Sequence, residues 1–509
     1  MELYTIAVLP FRPAAMTATT LAPPAATEVE EFRNCIGGEW RRAAGGRTFD
    51  DVNPHDAREV VGRFAASGAD DAKAAVDAAA NAFEGWRATP IGKRAKILAA
   101  AADRLEQNAD RFARELTREE GKSVALARDE FLRSAQTLRF YAIEAQTFGG
   151  ETYPQDDPDM VVYSQREPLG VVTAITPWNF PVSIPARKIA PALVTGNTVV
   201  FKPSSDAPLS GLRLAQSLIE AGLPAGVLNF ITGGAADVGP AITTDPRVRA
   251  VTFTGSTAAG EQIHRSVALT TRTQMELGGK NPLIVMEDAD LDAAVDLAVK
   301  GGLSLTGQAC TGTSRIFVMG AIREAFTQKL VARVKAMKIG SGLSPGMDIG
   351  PLATRRQLES VLRYIEIGKR EAKLACGGER LAGEGFEHGF YVSPAVFDDV
   401  ANGMRIAQEE IFGPVLAVIE VKSYAEAIAQ ANDTQYGLAA AIATRNPRYM
   451  HDFARDIEAG SVKINRTTTG NLVNAPFGGV KRSSTSTFRE SGRAGLEFFT
   501  QVKTIYRGC

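Results

Sequence analysis

The sequence predicts an α/β protein built on two parallel-sheet regions, and three observations carry that prediction. Between residues 170 and 266 short β-rich runs alternate with helical patterns. That is the rhythm of parallel crossover units, which leave a nucleotide-type crevice at the carboxyl ends of their strands. A second series of such runs begins at Pro282-Leu283-Ile284-Val285-Met286. The length, 509 residues, exceeds what one hydrophobic core organises, so two or three domains are expected.

The elements follow in order. Residues 1–27 begin apolar and continue rich in Ala, Thr and Pro, with no basic region ahead of a long apolar core. This is not the pattern of a secretory leader, and the segment is expected to be a disordered tail, with Met16 as an alternative start. Residues 32–61 carry short strands and the turns Asn34-Cys35-Ile36-Gly37-Gly38 and Asn53-Pro54. Over 70–83, Ala72, Ala75, Val76, Ala79, Ala80 and Phe83 recur at helical spacing, and Ile97, Ala101 and Leu105 continue the pattern after Pro90. A further helix is expected over 123–148.

Residues 151–168 are polar and alternating around Asp156-Asp157-Pro158, which suits a protruding hairpin rather than a crossover unit. Strands at 170–176, 198–201, 228–232 and 251–254 are then each followed by a helix, at 185–194, 209–221, 236–242 and 258–266. The second region runs through a helix at 290–299 and strands at 315–319, 416–421, 439–444 and 461–464. A last strand-like run, Val502-Lys503-Thr504-Ile505-Tyr506, needs a partner in this chain or in a neighbouring subunit.

Composition excludes several functions. Hydrophobic residues make up 45%, charged residues 23%, and the formal net charge is -1, so nothing draws the chain as a whole to nucleic acid or acidic membranes. No apolar run reaches the length of a membrane span. The cysteines at 35, 310, 376 and 509 have no paired spacing and the histidines at 55, 264, 388 and 451 no ligand spacing. No metal is therefore expected, and unpaired thiols indicate a reducing, cytoplasmic compartment. Cys310 stands apart among the four. In Gly307-Gln308-Ala309-Cys310 it follows a helical run and small, turn-forming neighbours, a setting that presents a thiol as a nucleophile, although a single cysteine more often serves as a small buried hydrophobe.

Seven stretches carry a family resemblance: Thr176-Pro-Trp-Asn-Phe-Pro181, Lys202-Pro-Ser204, Phe253-Thr-Gly-Ser-Thr257, Glu276-Leu-Gly-Gly-Lys280, Gly307-Gln-Ala-Cys310, Glu409-Glu-Ile-Phe-Gly-Pro414 and Pro476-Phe-Gly-Gly479. In this order and spacing they resemble the NAD(P)-dependent aldehyde dehydrogenases, over about residues 32–506. The resemblance implies two Rossmann-like parallel-sheet domains and a small β oligomerisation arm: 28–146 with 167–279 for the cofactor, 280–480 for catalysis, and 147–166 with 481–509 for the arm. In that family the hairpin and the terminal strand pair between subunits, so a homodimer or homotetramer is implied.

Roles follow from the same matches. Cys310 is the implied nucleophile, the Asn179 amide with the Cys310 backbone N–H the implied oxyanion donors, and Glu276 the implied general base. Phe253-Thr-Gly255-Ser256 marks a strand-to-helix turn suited to a pyrophosphate. Lys202 resembles the adenosine-ribose ligand, Ser204 is a further implied cofactor contact, Trp178 lines the cofactor channel, and Glu410 with Phe412 holds the nicotinamide ribose and ring. Ser205 stands where many NAD-preferring members carry a glutamate, and without that carboxylate a 2′-phosphate meets less repulsion, so NADP acceptance is implied beside NAD.

Arg187 matches an arginine that grips the distal carboxylate of semialdehydes; as a surface or structural arginine it would have no such role. Thr311-Gly-Thr-Ser-Arg315 and the stretch from Pro476 to Thr500 are similar to α-ketoglutarate semialdehyde dehydrogenases. Succinic semialdehyde and general aldehydes are the next substrates implied, and Ser304 stands where some succinic semialdehyde enzymes carry a second arginine. Two other classes, a non-catalytic structural homologue and a thiol hydrolase, leave Glu276 and Asn179, or Lys202, Ser256 and Glu410, without a purpose.

Overall fold

The computed structural model describes residues 29–508; the expected tail and Met16 lie outside the described residues. Two seven-stranded sheets form the body. Across the first, the order is Arg272–Glu276, Val248–Thr254, Val171–Ile175, Thr198–Lys202 and Leu228–Phe230, all parallel, followed by the antiparallel Asn34–Ile36 and Glu39–Arg41. The central strand Thr198–Lys202 reads TVVFK and is buried at every position, as expected of a parallel strand covered by helices on both faces. The helices Ser183–Val194, Pro208–Glu220, Ile91–Gln107 and Val124–Glu144 close one face through a core that includes Leu98, Phe131, Leu193, Phe201 and Phe230. Ala69–Arg87 and Ala235–Thr243 close the other through Val76, Val200, Ile231 and Ile242.

The second sheet has the order Lys373–Cys376, Ala395–Asp398, Val415–Val421, Thr313–Met319, Asn281–Val285, Ala439–Ala443 and Ser461–Ile464. All its pairings are parallel except the first. Its first two strands, Lys373–Cys376 and Ala395–Asp398, and the helices Gly320–Lys335 and Arg355–Glu371 are not among the elements expected from the sequence. The second of those helices nonetheless buries Leu358, Val361 and Ile365, at the spacing of one helix face.

Register decides where chemistry can occur. In the first sheet Thr254 pairs with Glu276, Phe253 with Ile175, and Ile175 with Lys202. Glu276, Lys202 and the loops after Ile175 and Thr254 therefore emerge along one carboxyl edge. The second sheet offers its amino edge, because Cys310 precedes Thr313–Met319, Glu410 precedes Val415–Val421, and the short turn Leu277–Lys280 carries the chain from Glu276 into Asn281–Val285.

The expected hairpin forms from Thr152–Tyr153 and Met160–Pro168. The terminal strand Thr500–Gly508 pairs antiparallel with Met160–Pro168 through nine positions of this same chain. This corrects the expectation that these two elements pair between subunits: a strand docked on its own hairpin satisfies its backbone locally and leaves only its outer edge unpaired. Of residues 481–508 only this strand enters the arm sheet; the helix Gly492–Phe498 packs Leu496 and Phe498 into the first core.

Candidate active site

Cys310 lies on the loop that follows Leu291–Leu303. The backbone there is tightly wound: Leu305 and Thr306 have φ of 55 and 56, and Gly307 has φ 71. A side chain at 307 would collide with the carbonyl of Gly413, so this position accepts only glycine. Asn281 fixes the far side of the cysteine, donating from Nδ2 to the carbonyls of Cys310 (2.8 Å) and Gly312 (2.9 Å) while its Oδ1 accepts from Ala439 N. The thiol is pushed up to about 12, first by burial and then by the negative charge of Glu410 and Glu276, with Arg187 opposing. Without ligands it is therefore held protonated.

Asn179 is buried on the loop after Val171–Ile175, and its Nδ2 donates to the main-chain oxygen of Gln308 at 2.8 Å. One amide hydrogen thus bridges to the cysteine loop and a second is left for another acceptor. Glu276 is buried at its strand end, and neither carboxylate oxygen has a protein hydrogen-bond partner. Its carboxyl is raised well above the usual carboxylate range by burial and next by Glu490, against Lys188, Arg489 and Arg187.

Glu490, Lys188 and Arg489 have no assigned role in the sequence reading. Lys188 Nζ lies 2.9 Å from Glu490 Oε1 and donates to Thr252 Oγ1 at 3.0 Å. Arg187 Nη1 lies 3.5 Å from Glu490 Oε2, and Arg187 Nε donates to the Ser183 carbonyl at 3.3 Å. The structure thus brings Arg187 toward the thiol while engaging it with Glu490. Charged Lys188 within the apolar run of 183–194, and Asn281 directly after the Glu276–Lys280 stretch, were the available signals.

The residues expected to hold the cofactor include Glu410, whose charge reaches the thiol. Trp178 meets Phe412 edge to face at 5.4 Å. Glu410 Oε1 accepts from Gly279 N at 3.0 Å, and burial raises its carboxyl to about 7 against that bond and Lys280. A Cβ at Gly278 would collide with Glu410. Gly279, Lys280, Gly307, Glu410 and Phe412 line one small pocket.

Lys202 is buried, with Pro203 O as its hydrogen-bond acceptor at 3.1 Å, and burial lowers it to about 8. Two of its three ammonium hydrogens remain for a ligand. Ser204 Oγ accepts from Asp206 N at 3.2 Å and Ser205 Oγ donates to Gly233 O at 2.9 Å. Gly255 and Ser256 form the turn into Thr257–Ser266; Ser256 Oγ caps that helix by accepting from Ala259 N at 3.4 Å. Beside it the uncapped N–H groups of the first turn and the helix dipole favour a phosphate. An ammonium with free donors, a helix N-terminus and an edge-on aromatic pair along one cleft fit a dinucleotide.

Among the described residues there is no cluster of His, Cys, Asp and Glu that could hold a metal ion, and no helix is long and apolar enough to cross a membrane.

A model described as "Aldehyde dehydrogenase family" matches residues 40–505. The chain is 44% identical over 482 residues to the alpha-ketoglutaric semialdehyde dehydrogenase of Bacillus subtilis (strain 168), an alignment covering 94% of this chain and 99% of that protein. It is 42% identical over 477 residues to the 2,5-dioxopentanoate dehydrogenase of Saccharolobus solfataricus, covering 93% and 98%. Among solved structures it is similar to the betaine aldehyde dehydrogenase of Staphylococcus aureus in complex with NAD+, with a TM-score of 0.91, 36% identity, and coverage of 93% of this chain and 94% of that one.

Proposed function

The chain belongs to the aldehyde dehydrogenase family, and on that premise we propose that it oxidises α-ketoglutarate semialdehyde to α-ketoglutarate, with Cys310 as nucleophile, Asn179 as oxyanion donor and Glu276 as general base. The observation that carries this reading is the convergence on one cleft of a thiol and a buried carboxylate whose two oxygens are free of protein partners. The names of relatives that align over nearly their whole length support the substrate.

The chain's residues divide the work as follows. Cys310, deprotonated, adds to the aldehyde carbon. The oxygen of the resulting thiohemiacetal carries negative charge, which the free hydrogen of the Asn179 amide and the Cys310 backbone N–H stabilise. The bound dinucleotide supplies the hydride acceptor. Departure of hydrogen with its electron pair restores the carbonyl as a thioester on Cys310. Glu276 then takes a proton from water as that water attacks the thioester, releasing the acid and the free thiol. Trp178, Lys202, Ser204, Gly255, Ser256, Glu410 and Phe412 hold the dinucleotide along the carboxyl edge of the first sheet.

A panel of aldehydes, followed by the absorbance of the reduced nicotinamide, tests the substrate. The highest kcat/KM is expected for α-ketoglutarate semialdehyde, with succinic semialdehyde below it; equal values for uncharged aldehydes of the same length would remove the assignment. Arg187 supplies the distal-carboxylate contact in this reading. Charged hydrogen bonds contribute about 1.5–3 kcal/mol, so Arg187→Ala is expected to lower kcat/KM for ω-carboxy aldehydes by about tenfold or more and that for uncharged aldehydes far less. Equal losses would assign Arg187 to its bridge with Glu490 alone.

Ser205, engaged with Gly233 O, presents no carboxylate to the adenosine ribose, and we propose that NADP is accepted. The ratio of kcat/KM with NAD to that with NADP is expected to stay below about one hundred, the range in which a single repulsive charge has been left out. Ser205→Glu should raise that ratio about tenfold or more. The unpaired outer edge of Thr500–Gly508, with Val502 and Tyr506 exposed, supports a homodimer or homotetramer, and the free thiols of Cys35, Cys310 and Cys376 support a reducing, cytoplasmic setting.

A further inference from the structure

Lys122 sits far from the reacting groups in sequence, directly after Gly121, which ends the helix Ala109–Glu120 in a left-handed turn with φ 96. The turn is wedged between the two halves of the molecule. A Cβ at Gly121 would lie 2.6 Å from Pro351, and side chains at Gly342 or Gly350 would collide with the carbonyls of Lys122 or Gly121. Only glycine on both sides permits so close an approach.

The Lys122 side chain is 1% exposed. Its Nζ donates to Glu130 Oε2 at 2.6 Å and to the main-chain oxygen of Asn179 at 2.7 Å, and it lies 4.8 Å from the centre of the Phe180 ring. Glu130 continues the contact: Oε1 accepts from Val182 N at 3.0 Å and Ser183 N at 3.1 Å. One buried ion pair therefore holds the loop through Asn179 at its carbonyl and at the first turn of the following helix. The adjacent Glu120 is raised to about 8 by burial, so it is protonated near neutrality and Glu130 is the counter-ion. The same turn also reaches the nucleophile's loop. Gly350, packed on Gly121, accepts from Thr306 Oγ1 at 3.1 Å, and Ala353 N donates to Gln308 Oε1 at 2.9 Å. Gln308 in turn receives the Asn179 amide.

We propose that Lys122 is a positioning residue for oxyanion stabilisation: its bond to the Asn179 carbonyl sets where the Asn179 amide stands relative to Cys310. The inference rests on the reading of Asn179 as an oxyanion donor. A buried ammonium is a costly way to fill space, whereas a donor fixed by two strong acceptors holds a loop to the tolerance that such stabilisation needs; a misplacement of about 1 Å can cost on the order of 10²-fold in rate.

The test is a double-mutant cycle on the full-length enzyme with saturating dinucleotide. Lys122→Met leaves Glu130 buried without its counter-ion, so Lys122→Met/Glu130→Gln is made beside it as a charge-neutral form. Each is prepared with Asn179 intact and with Asn179→Ala, and kcat, KM for the dinucleotide and Tm are measured. With Asn179 intact, kcat is expected to fall about tenfold or more while KM for the dinucleotide changes less than about twofold. In the Asn179→Ala background the same changes should cost less than about twofold, because the group they position is gone. Equal losses in both backgrounds, an unchanged kcat in a folded variant, or failure of both variants to fold would overturn the proposal and leave Lys122 a residue of the fold. If Asn179→Ala alone left kcat unchanged, the oxyanion reading itself would fall, a result distinct from the others.

Discussion

Cys310→Ser is expected to lower kcat for aldehyde oxidation by at least about 10³-fold while dinucleotide binding persists. A serine hydroxyl ionises far less readily than a thiol, and no histidine or other base hydrogen-bonds to position 310 among the described residues, so nothing would activate it. The same environment sets the direction of the pH dependence. Cys310 is held up to about 12 by burial, Glu410 and Glu276, and Glu276 is raised by burial and Glu490. In the proposed mechanism both work in their deprotonated forms, so kcat/KM should climb as pH rises through the alkaline side of neutrality. The oxidised nicotinamide ring is cationic, and placed near this sulfur it favours the thiolate. Alkylation of Cys310 by iodoacetamide at fixed pH should accordingly be faster with saturating dinucleotide than without. Full dehydrogenase activity in Cys310→Ser would end the covalent mechanism.

The second large effect is expected at Glu276. Glu276→Gln removes the proposed base but leaves the proposed nucleophile and both proposed oxyanion donors in place, so the first half of the reaction should survive. Rapid mixing is expected to show a burst of about one reduced dinucleotide per active site, followed by a steady state slower by about 10² to 10⁴-fold, the range of general-base contributions. Denaturing the protein after the burst and weighing it should reveal the acyl group on Cys310. Because burial and the charge of Glu490 both disfavour the ionised carboxylate, the amide also removes a like-charge contact, and Tm is not expected to fall. Loss of the burst together with the steady state would move Glu276 from hydrolysis to the first chemical step.

The parts of this molecule legible in the sequence are those in which a local pattern has one physical meaning. Thr198–Lys202 is an uninterrupted β-branched and aromatic run in a series of crossover units, and could be little but a buried parallel strand. Ser461–Ile464 and the hairpin at 152–168 were equally open to reading. The strand Lys373–Cys376, equally short and at the opposite edge, was not, because KLAC contains no β-branched or aromatic residue and follows directly on the helix Arg355–Glu371. Within the site, the candidate residues named from the sequence lie on contiguous motifs, whereas the residues that contact them from distant parts of the chain lie on none. Lys122 and Asn179 are 57 positions apart and Glu130 lies 52 before Val182. Nothing in a run of Glu119-Glu120-Gly121-Lys122 distinguishes a buried ion pair from a solvated helix end. Arg187 shows the converse: its motif suggested a ligand contact, and only the fold reveals that Glu490 competes for the same guanidinium.

The turn between the two sheets has a consequence for how this site tolerates change. Within residues 276–281 the chain supplies Glu276, the Gly279 N–H that binds Glu410, and Asn281, which grips the carbonyls of Cys310 and Gly312. Surface loops absorb insertions at little thermodynamic cost, but one added residue here would rotate Asn281 to the other face of its strand and shift Gly279 away from Glu410. The proposed hydrolysis at Glu276, the proposed ribose contact of Glu410 and the placement of Cys310 would be lost together, so length variation in this protein belongs in the outer loops and not in this crossing.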